Sequence, residues 1–276
     1  MTEVREAPSV SVLTAVRDPN PEFLLDAYRS LREQAGPVWE WLIQIDAESV
    51  TSLPREIERD VRASVQANGC QLGTAGTRNR ALLRSRAELV QNLDGDDQLL
   101  AGALDGAAAA LGSDPSLAFA FGRTVDLRPD GSRRSSWREQ IPFAPGRIEP
   151  GTLDAYWLAT GHDPLPMSPL MWRKSVLYAF GGWAALSVLE DAALIYPVAA
   201  LYPCYYLDHD TQLYRIHSQQ RTASSDYRHE RAPNRQFVFH RLQALRELGG
   251  RAASPHLAPP PDPADTLSDR ELRREL

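Results

Sequence analysis

Cysteine is scarce in this chain: Cys70 and Cys204 are the only two among 276 residues. Neither stands in a Cys/His spacing suited to zinc, and two cysteines cannot build a disulfide framework. No apolar run reaches the roughly 18–20 residues that a membrane-spanning helix requires. The opening residues MTEVREAPS carry two acids and no apolar stretch, unlike a secretory signal. Positive charge is the minority: 30 Lys and Arg against 36 Asp and Glu leave a net −6. That balance argues against nucleic acid or another generic polyanion as partner, while leaving room for a local basic pocket. There is no internal repeat. These absences leave a cytoplasmic enzyme or binding protein as the expectation, with no sign of its oligomeric state.

What is present is ordinary for a globular domain: 43% hydrophobic and 24% charged residues, enough for one sizeable core. Val10 to Val16 is a short β-rich run bounded by Asp18-Pro19-Asn20-Pro21. Asn20 as N-cap and Pro21 at the first helical position open a helix to about Gln34, closed by Gly36-Pro37. Trp39 to Ile45 is a second strand that ends on Asp46. Ser52 to Ala67 reads as an amphipathic helix with Ile57, Val61 and Val65 on one face. Gly69 to Leu72 follows as a brief strand, Thr74 to Arg86 as a helix, and Leu89 to Leu93 as a strand running into Asp94-Gly95-Asp96-Asp97. This rhythm predicts an α/β fold with a largely parallel sheet, whose ligands bind at the carboxyl ends of the strands. Asp46 and Asp94 both fall there.

The second half is less regular. Leu117 to Val125 and Arg133 to Trp137 flank Pro129-Asp130-Gly131, a hairpin signal. A helix is expected over Leu153 to Leu158, and an extended segment over Leu165 to Trp172, where Pro166 and Pro169 exclude a helix interior. Glu190 to Ala200 reads as helix, Tyr202 to Ile216 as mostly extended with a turn at Asp208-His209-Asp210, and Asn234 to Leu248 as helix. From Ala252 the chain turns to Ala, Ser and Pro, so residues 251–276 are expected to form a disordered tail, matched by a flexible stretch over residues 1–8.

The acidic run carries the first chemical signal. Residues two apart at a strand end point the same way, so Asp94 and Asp96 are placed to share one target. Carboxylates this crowded, with Asp97 beside them, repel unless a cation offsets them, and hard oxygen ligands suit Mg2+ or Mn2+. The plainer alternative is an acidic turn capping a helix that starts near Gln98.

From residue 9 to about 222, the chain resembles family-2 glycosyltransferases of the GT-A fold. The resemblance rests on SVLTAV, LIQIDAES, TAGTRNRAL, LVQNLDGDD, GGW…LEDAAL and YRIH, all in matching order. It implies a Rossmann-like three-layer fold with a mixed, mainly parallel central sheet. A donor half over residues 9–126 and an acceptor half over 127–250 would follow. The implied reaction is inverting, metal-dependent sugar transfer from a UDP-, dTDP- or GDP-sugar to a hydroxyl of a soluble or carrier-bound acceptor. Thr14, Ala15 and Asp46 then match the nucleoside-binding positions. For Asp46, an Asx turn or a helix cap is the open alternative. Arg78 and Asn79, in the first turns of a helix, match the positions that approach the donor diphosphate. Asp94, Asp96 and Asp97 match the metal-binding DXD segment. Asp191 matches the base that takes the acceptor proton, kept ionised by the start of its helix, and Glu190 orients it or binds acceptor. His217 stands either as a further metal ligand or as a structural histidine.

The chain also departs from the family. Ala47 stands where a second acid is usual, and AALIYPVAAL lacks the arginine often found beyond the acid pair, so some donor or acceptor contacts differ. Gly73-Thr74-Ala75-Gly76-Thr77-Arg78 has neither the GxGxxG spacing nor the GK[ST] ending of a nucleotide loop. The first strand leads into Arg17-Asp18-Pro19-Asn20 instead of a glycine-rich loop, which counts against a sugar nucleotidyltransferase. Without a QxxRW motif a processive synthase does not fit, so a single-transfer enzyme is the reading. A catalytically degenerate domain that binds sugar nucleotide or protein is the alternative.

Overall fold

Strand β1 (Val10–Val16), helix α1 (Pro21–Arg32) and strand β2 (Trp39–Ile45) occupy the segments their patterns predict. The computed structural model describes residues 7–50, 53–135, 141–223 and 225–249. Asn20 caps α1, its side chain accepting from Glu22 N at 2.9 Å and Phe23 N at 3.3 Å. This satisfies two of the donors that a helix start leaves open.

The expected helix over residues 52–67 is replaced by a five-residue helix α2 (Arg55–Arg59) and an edge strand β3 (Ala63–Ala67). Asp60 makes the break: its carboxylate accepts from Arg62 N at 2.9 Å and Arg62 Nη2 at 2.7 Å. A local turn of this kind competes with the helix ladder. Beyond it β2 offers a better partner, pairing Trp41 through Ile45 in parallel with Ala63 through Ala67. Val61, assigned to the apolar helix face, is instead 67% exposed. The strand expected at Gly69–Leu72 is a turn into helix α3 (Gly73–Arg84).

Strand β4 (Leu89–Asn92) ends before the acidic run. Gln98 does not begin a helix: it opens the two-residue strand β5 (Gln98–Leu99), and helix α4 (Ala103–Ser113) starts later. The predicted hairpin forms between β6 (Phe119–Leu127) and β7 (Arg133–Ser135), its far end at Trp137 lying outside the described residues. Then come β8 (Gly146–Ile148), α5 (Thr152–Thr160), β9 (Met171–Arg173), α6 (Lys174–Ala179), α7 (Ala192–Leu201), β10 (Cys204–Arg215) and α8 (Ser225–Leu248). Asp208 to Asp210 are not a turn but part of β10, at a register shift against β6. The expected tail at 251–276, and the N-terminal stretch up to residue 6, lie outside the described residues.

The strands form one ten-stranded mixed sheet in the order β3-β2-β1-β4-β9-β6-β10-β5, with β7 on β6 and β8 on β10. Its long ladders, β3-β2-β1-β4 and β6-β10, are parallel; β9 joins the two sets antiparallel. Helices cover both faces. Leu13, Leu42, Trp157, Trp172 and Tyr196 belong to one core cluster, and Val12, Leu24, Trp41, Ile43 and Leu104 to the other. Burial on both faces explains why β2 is buried along its whole length. The carboxyl ends of β1, β2 and β4 lie side by side, which brings Asp46 and the acidic run to one rim.

Candidate active site

Arg78 is the hub of that rim. It stands in the second turn of α3, and only 3% of its surface is exposed. Its Nη2 lies 2.9 Å from Asp94 Oδ1, while Nη1 lies 2.7 and 2.9 Å from the two oxygens of Asp191 and 3.5 Å from Glu190 Oε1. One guanidinium thus serves three carboxylates from opposite parts of the chain. Burial acts against its charge, but Asp191, Asp94 and Glu190 outweigh burial and raise the arginine above its ordinary value. Asp94 Oδ2 also accepts from Ser168 Oγ at 2.6 Å. Burial would raise the Asp94 carboxyl; Arg78 and Ser168 more than offset this and hold it below its usual range.

The acid pair is fixed from its own side. Asn79, next to Arg78, accepts from Trp183 N at 3.0 Å and donates to Trp183 O at 2.9 Å. A side-chain Cβ at Gly182 would meet Asn79 Oδ1 at 2.2 Å, and Gly182 has φ +69°, so both space and backbone require glycine there. Trp183 Nε1 in turn donates to Asp191 Oδ1 at 2.9 Å. Leu189, just before the pair, holds a left-handed φ of 63°, a strained conformation for leucine. Asp191 starts α7, yet its side chain makes no capping bond to that helix. The helix start therefore does not hold its carboxyl in the ordinary aspartate range. Burial, with Glu190 and Asp94 nearby, pushes Asp191 up to about 6 despite Arg78. Glu190 is fully buried; its Oε1 accepts from Arg221 Nη2 at 2.8 Å, and its Oε2 has no hydrogen-bond partner among the described residues.

The acidic run divides into three roles. Asp94 and Asp96 are close enough for Asp94 to help raise the Asp96 carboxyl, after burial. They nevertheless bond to different partners, because the strand ends at Asn92 and side-chain alternation lapses beyond it. Asp96 Oδ2 lies 2.9 Å from His217 Nε2. Gln219 N approaches His217 Nδ1 at 3.3 Å, which favours the tautomer that donates from Nε2 to Asp96. Phe23 packs on the imidazole with centroids 5.2 Å apart. Asp97 turns away into the sheet: its oxygens accept from Gln212 Nε2 at 2.5 Å and Arg215 N at 2.9 Å, and it is 1% exposed. Burial, then the charges of Asp96 and Asp94, lift its carboxyl well above the ordinary range.

These residues suit a small hard cation only in part. Among the described residues, no group of three or more His, Cys, Asp or Glu is arranged to hold a metal by itself. Asp96 and Asp94 have side chains 35% and 31% exposed, and His217 19%. Mg2+ or Mn2+ is the kind of cation such carboxylates could hold, since it takes few protein ligands and completes its shell with water and phosphate oxygens. Both oxygens of Asp94, however, already accept from Arg78 and Ser168. Ligation through His217 Nε2 requires the other tautomer. Asp97 is engaged in holding β10 to the acidic loop.

On the donor side, Thr14 is fully buried, donating to Leu93 O at 2.7 Å and accepting from Trp41 Nε1 at 2.8 Å. Ala15 is only partly buried. Asp46 caps the start of α3, accepting from Leu72 N at 2.6 Å, Gly73 N at 3.1 Å and Asn68 Nδ2 at 3.0 Å. The helix-cap alternative therefore describes its contacts. Two residues at the rim carried no sequence signal: Ser168, within a proline-rich segment, and Arg221, four residues past His217. Asp163 accepts from Tyr196 Oη at 2.5 Å.

The family model of Glycosyl transferase family 2 matches residues 11–171. The O-antigen biosynthesis protein RfbC of Myxococcus xanthus is 30% identical over 130 residues, 46% of this chain. The match spans only 10% of that relative's length. Among solved structures, TarS 1–349 of S. aureus in complex with UDP-GlcNAc superimposes with a TM-score of 0.65 at 17% identity, over 84% of this chain and 66% of that one. Its complex with UDP gives 0.63 at 15% identity, over 84% and 65%. At such identity the likeness is one of fold, and this chain spans just under two thirds of TarS 1–349.

Proposed function

The chain belongs to Glycosyl transferase family 2, and on that premise we propose that it transfers a sugar from a nucleoside-diphosphate sugar to an acceptor hydroxyl, inverting the anomeric centre. One observation carries the reading: Arg78 ties Asp94, two residues past β4, to Asp191, at the start of α7. A carboxylate for the donor side and a carboxylate for the acceptor side are thereby held by one rigid cation. The structural relatives solved with UDP and UDP-GlcNAc support a nucleotide-sugar donor in a cleft of this fold.

In this reading Asp191 accepts the proton of the acceptor hydroxyl as its oxygen attacks the anomeric carbon and the bond from that carbon to the diphosphate breaks. A single displacement inverts the centre. A carboxyl raised to about 6 is a stronger base than an ordinary aspartate yet still mostly ionised at neutral pH. Arg78 fixes the orientation of Asp191, and Trp183 donates to one of its oxygens. Glu190 holds the arginines beside it. Mg2+ or Mn2+, held by Asp96 and Asp94 with His217, would supply positive charge to the departing diphosphate. Nucleoside contacts fall to the backbone of Thr14 and Ala15 and to Asp46; Asn79 supports them by anchoring the Trp183 segment.

The test is incubation with UDP-, dTDP- and GDP-sugars, with Mg2+ or Mn2+ and with EDTA, following nucleoside diphosphate release and the anomeric configuration of the product. Metal-dependent release with inversion is expected. Binding without release would favour the degenerate reading, and no binding of any donor would overturn the assignment.

A further inference from the structure

The left-handed φ of 63° at Leu189 is a backbone region that a residue with a Cβ enters only at a steric cost. Such a conformation persists where the surroundings over-determine it. Rotation φ turns about the N–Cα bond, so at Leu189 it is fixed by the orientation of the peptide unit joining Val188 to Leu189. That unit is held by its oxygen: Asn234 Nδ2 donates to Val188 O at 3.0 Å, and to Ser187 Oγ at 3.1 Å. The next peptide unit is held by α7, where Ala193 N donates to Leu189 O at 3.0 Å. Both planes flanking the strained residue are thereby fixed, one by a helix ladder and the other by a side chain of α8. Asn234 is itself firmly placed, being only 9% exposed. Along α8, Ser187 Oγ donates to Glu230 Oε2 at 3.1 Å, and the Arg235 guanidinium lies 5.1 Å from the ring centroid of Trp157. Arg241 Nη2 donates to Phe180 O at 2.6 Å, and Arg246 Nη1 lies 2.8 Å from the buried Asp154 Oδ2.

We propose that Asn234 is a positioning residue for proton removal: by holding Val188 O it keeps Leu189 left-handed, and so aims Asp191 at Arg78 and Trp183. The proposal rests on the reading of Asp191 as the base. Leu189 is the joint between the loop after α6 and helix α7. The 2.9 Å bond from Trp183 Nε1 to Asp191 Oδ1 spans that joint, so relaxation of Leu189 to a negative φ moves one end of the bond against the other. Asn79 grips the loop from α3 at Trp183, and Asn234 grips it from α8 at Val188. The grip at Val188 needs an amide, because its N–H2 donates where an ionised carboxylate only accepts. An Asp of the same shape would turn an oxygen toward Val188 O.

The experiment compares wild type, Asn234→Ala, Asn234→Asp, Asp191→Asn, and Leu189→Gly alone and combined with Asn234→Ala, all below their melting transitions. Turnover is read as nucleoside diphosphate released from UDP-GlcNAc with Mn2+, or from the dTDP- or GDP-sugar that wild type cleaves. Water takes the place of the acceptor hydroxyl in this assay. Calorimetry reads the affinity for the released nucleoside diphosphate. Asn234→Ala and Asn234→Asp are each expected to lose about tenfold to a hundredfold in kcat, the scale of a misplaced reacting group, with affinity within about twofold. The acid limb of their pH profiles should leave its wild-type position, because Asp191 no longer keeps its partners. Leu189→Gly takes a left-handed φ without steric cost, so adding it to Asn234→Ala should restore most of the lost kcat. A residue that only stabilised the fold would lower the melting temperature and leave kcat and the pH profile in place; that result overturns the proposal. So does an Asn234→Asp that matches wild type, or a loss that Leu189→Gly leaves untouched. Normal turnover by Asp191→Asn, or a wild type that cleaves none of the donors, overturns instead the reading of the cleft on which the proposal rests.

Discussion

Arg78 Nη1 lies 2.7 and 2.9 Å from the two carboxylate oxygens of Asp191, while Nη2 of the same side chain lies 2.9 Å from Asp94. Removing one partner of a buried ionic cluster leaves the others uncompensated, at a cost of about 3–5 kcal/mol. Arg78→Met should lower folding stability by that order in denaturant titration. Adding Asp191→Asn should cost less in the Arg78→Met background than in wild type, because the charge it removes is no longer compensated. Additive effects would show that the two groups do not interact.

The clamp between Asn79 and the Trp183 backbone gives a second expectation. Gly182→Ala should destabilise the protein and suppress transfer, since its Cβ collides with Asn79 Oδ1 and its φ is +69°. Asn79→Ala added to it removes the collision but not the backbone strain, so it should restore part of the melting temperature. Full restoration would mean that φ at this position carries no cost.

Asp97 and Asp96, adjacent in sequence, should respond differently. Asp97→Ala leaves Arg215 N and Gln212 without their buried acceptor and should cost about 1–3 kcal/mol in stability. Asp96→Ala removes one of several crowded carboxylates, so stability in EDTA should hold or rise while Mn2+-dependent nucleotide binding is lost. Chemical denaturation and calorimetry on the two variants separate the roles. Full activity of Asp96→Ala in EDTA would contradict a metal at this place.

The Asp191 carboxyl, pushed up to about 6 chiefly by burial, sets a pH dependence. The base acts only when ionised. Transfer measured as kcat/KM should therefore rise about tenfold per pH unit below 6 and flatten above about 7. A flat profile between pH 5 and 7 would show that another group accepts the proton.

The sequence announces the first three elements because each carries its own punctuation: an apolar run, an Asn-Pro helix entry and a strand ending in Asp46. It misleads at Ile57, Val61 and Val65, whose four-residue spacing is helical although Asp60 breaks the chain between them. Alternation of side chains puts Asp94 and Asp96 on one side; β4 stops at Asn92, so they take different hydrogen-bond partners, but their carboxyls still lie within electrostatic reach. The burial of Arg78 was illegible for another reason. Its partners Glu190 and Asp191 lie more than a hundred residues away, and no local pattern reports a contact of that range. Ser168 lies in PLPMSPL, where nothing distinguishes a site residue from a loop residue. The roles of the acid pair came from family resemblance, not from spacing.

The division of the cleft between donor binding and proton removal is tested most directly by Asp191→Asn. The substitution keeps the shape of the side chain but removes the charge and the ability to take a proton. The measurement pairs calorimetric binding of the nucleoside diphosphate in the presence of Mn2+ with product formation from a competent acceptor. Binding should change by no more than about twofold while transfer falls by about 10²–10⁴-fold, the usual contribution of a positioned base. Normal turnover by Asp191→Asn would place the base elsewhere, with Asp163 the next acid to test, and loss of nucleotide binding would assign Asp191 to the donor side and contradict the account.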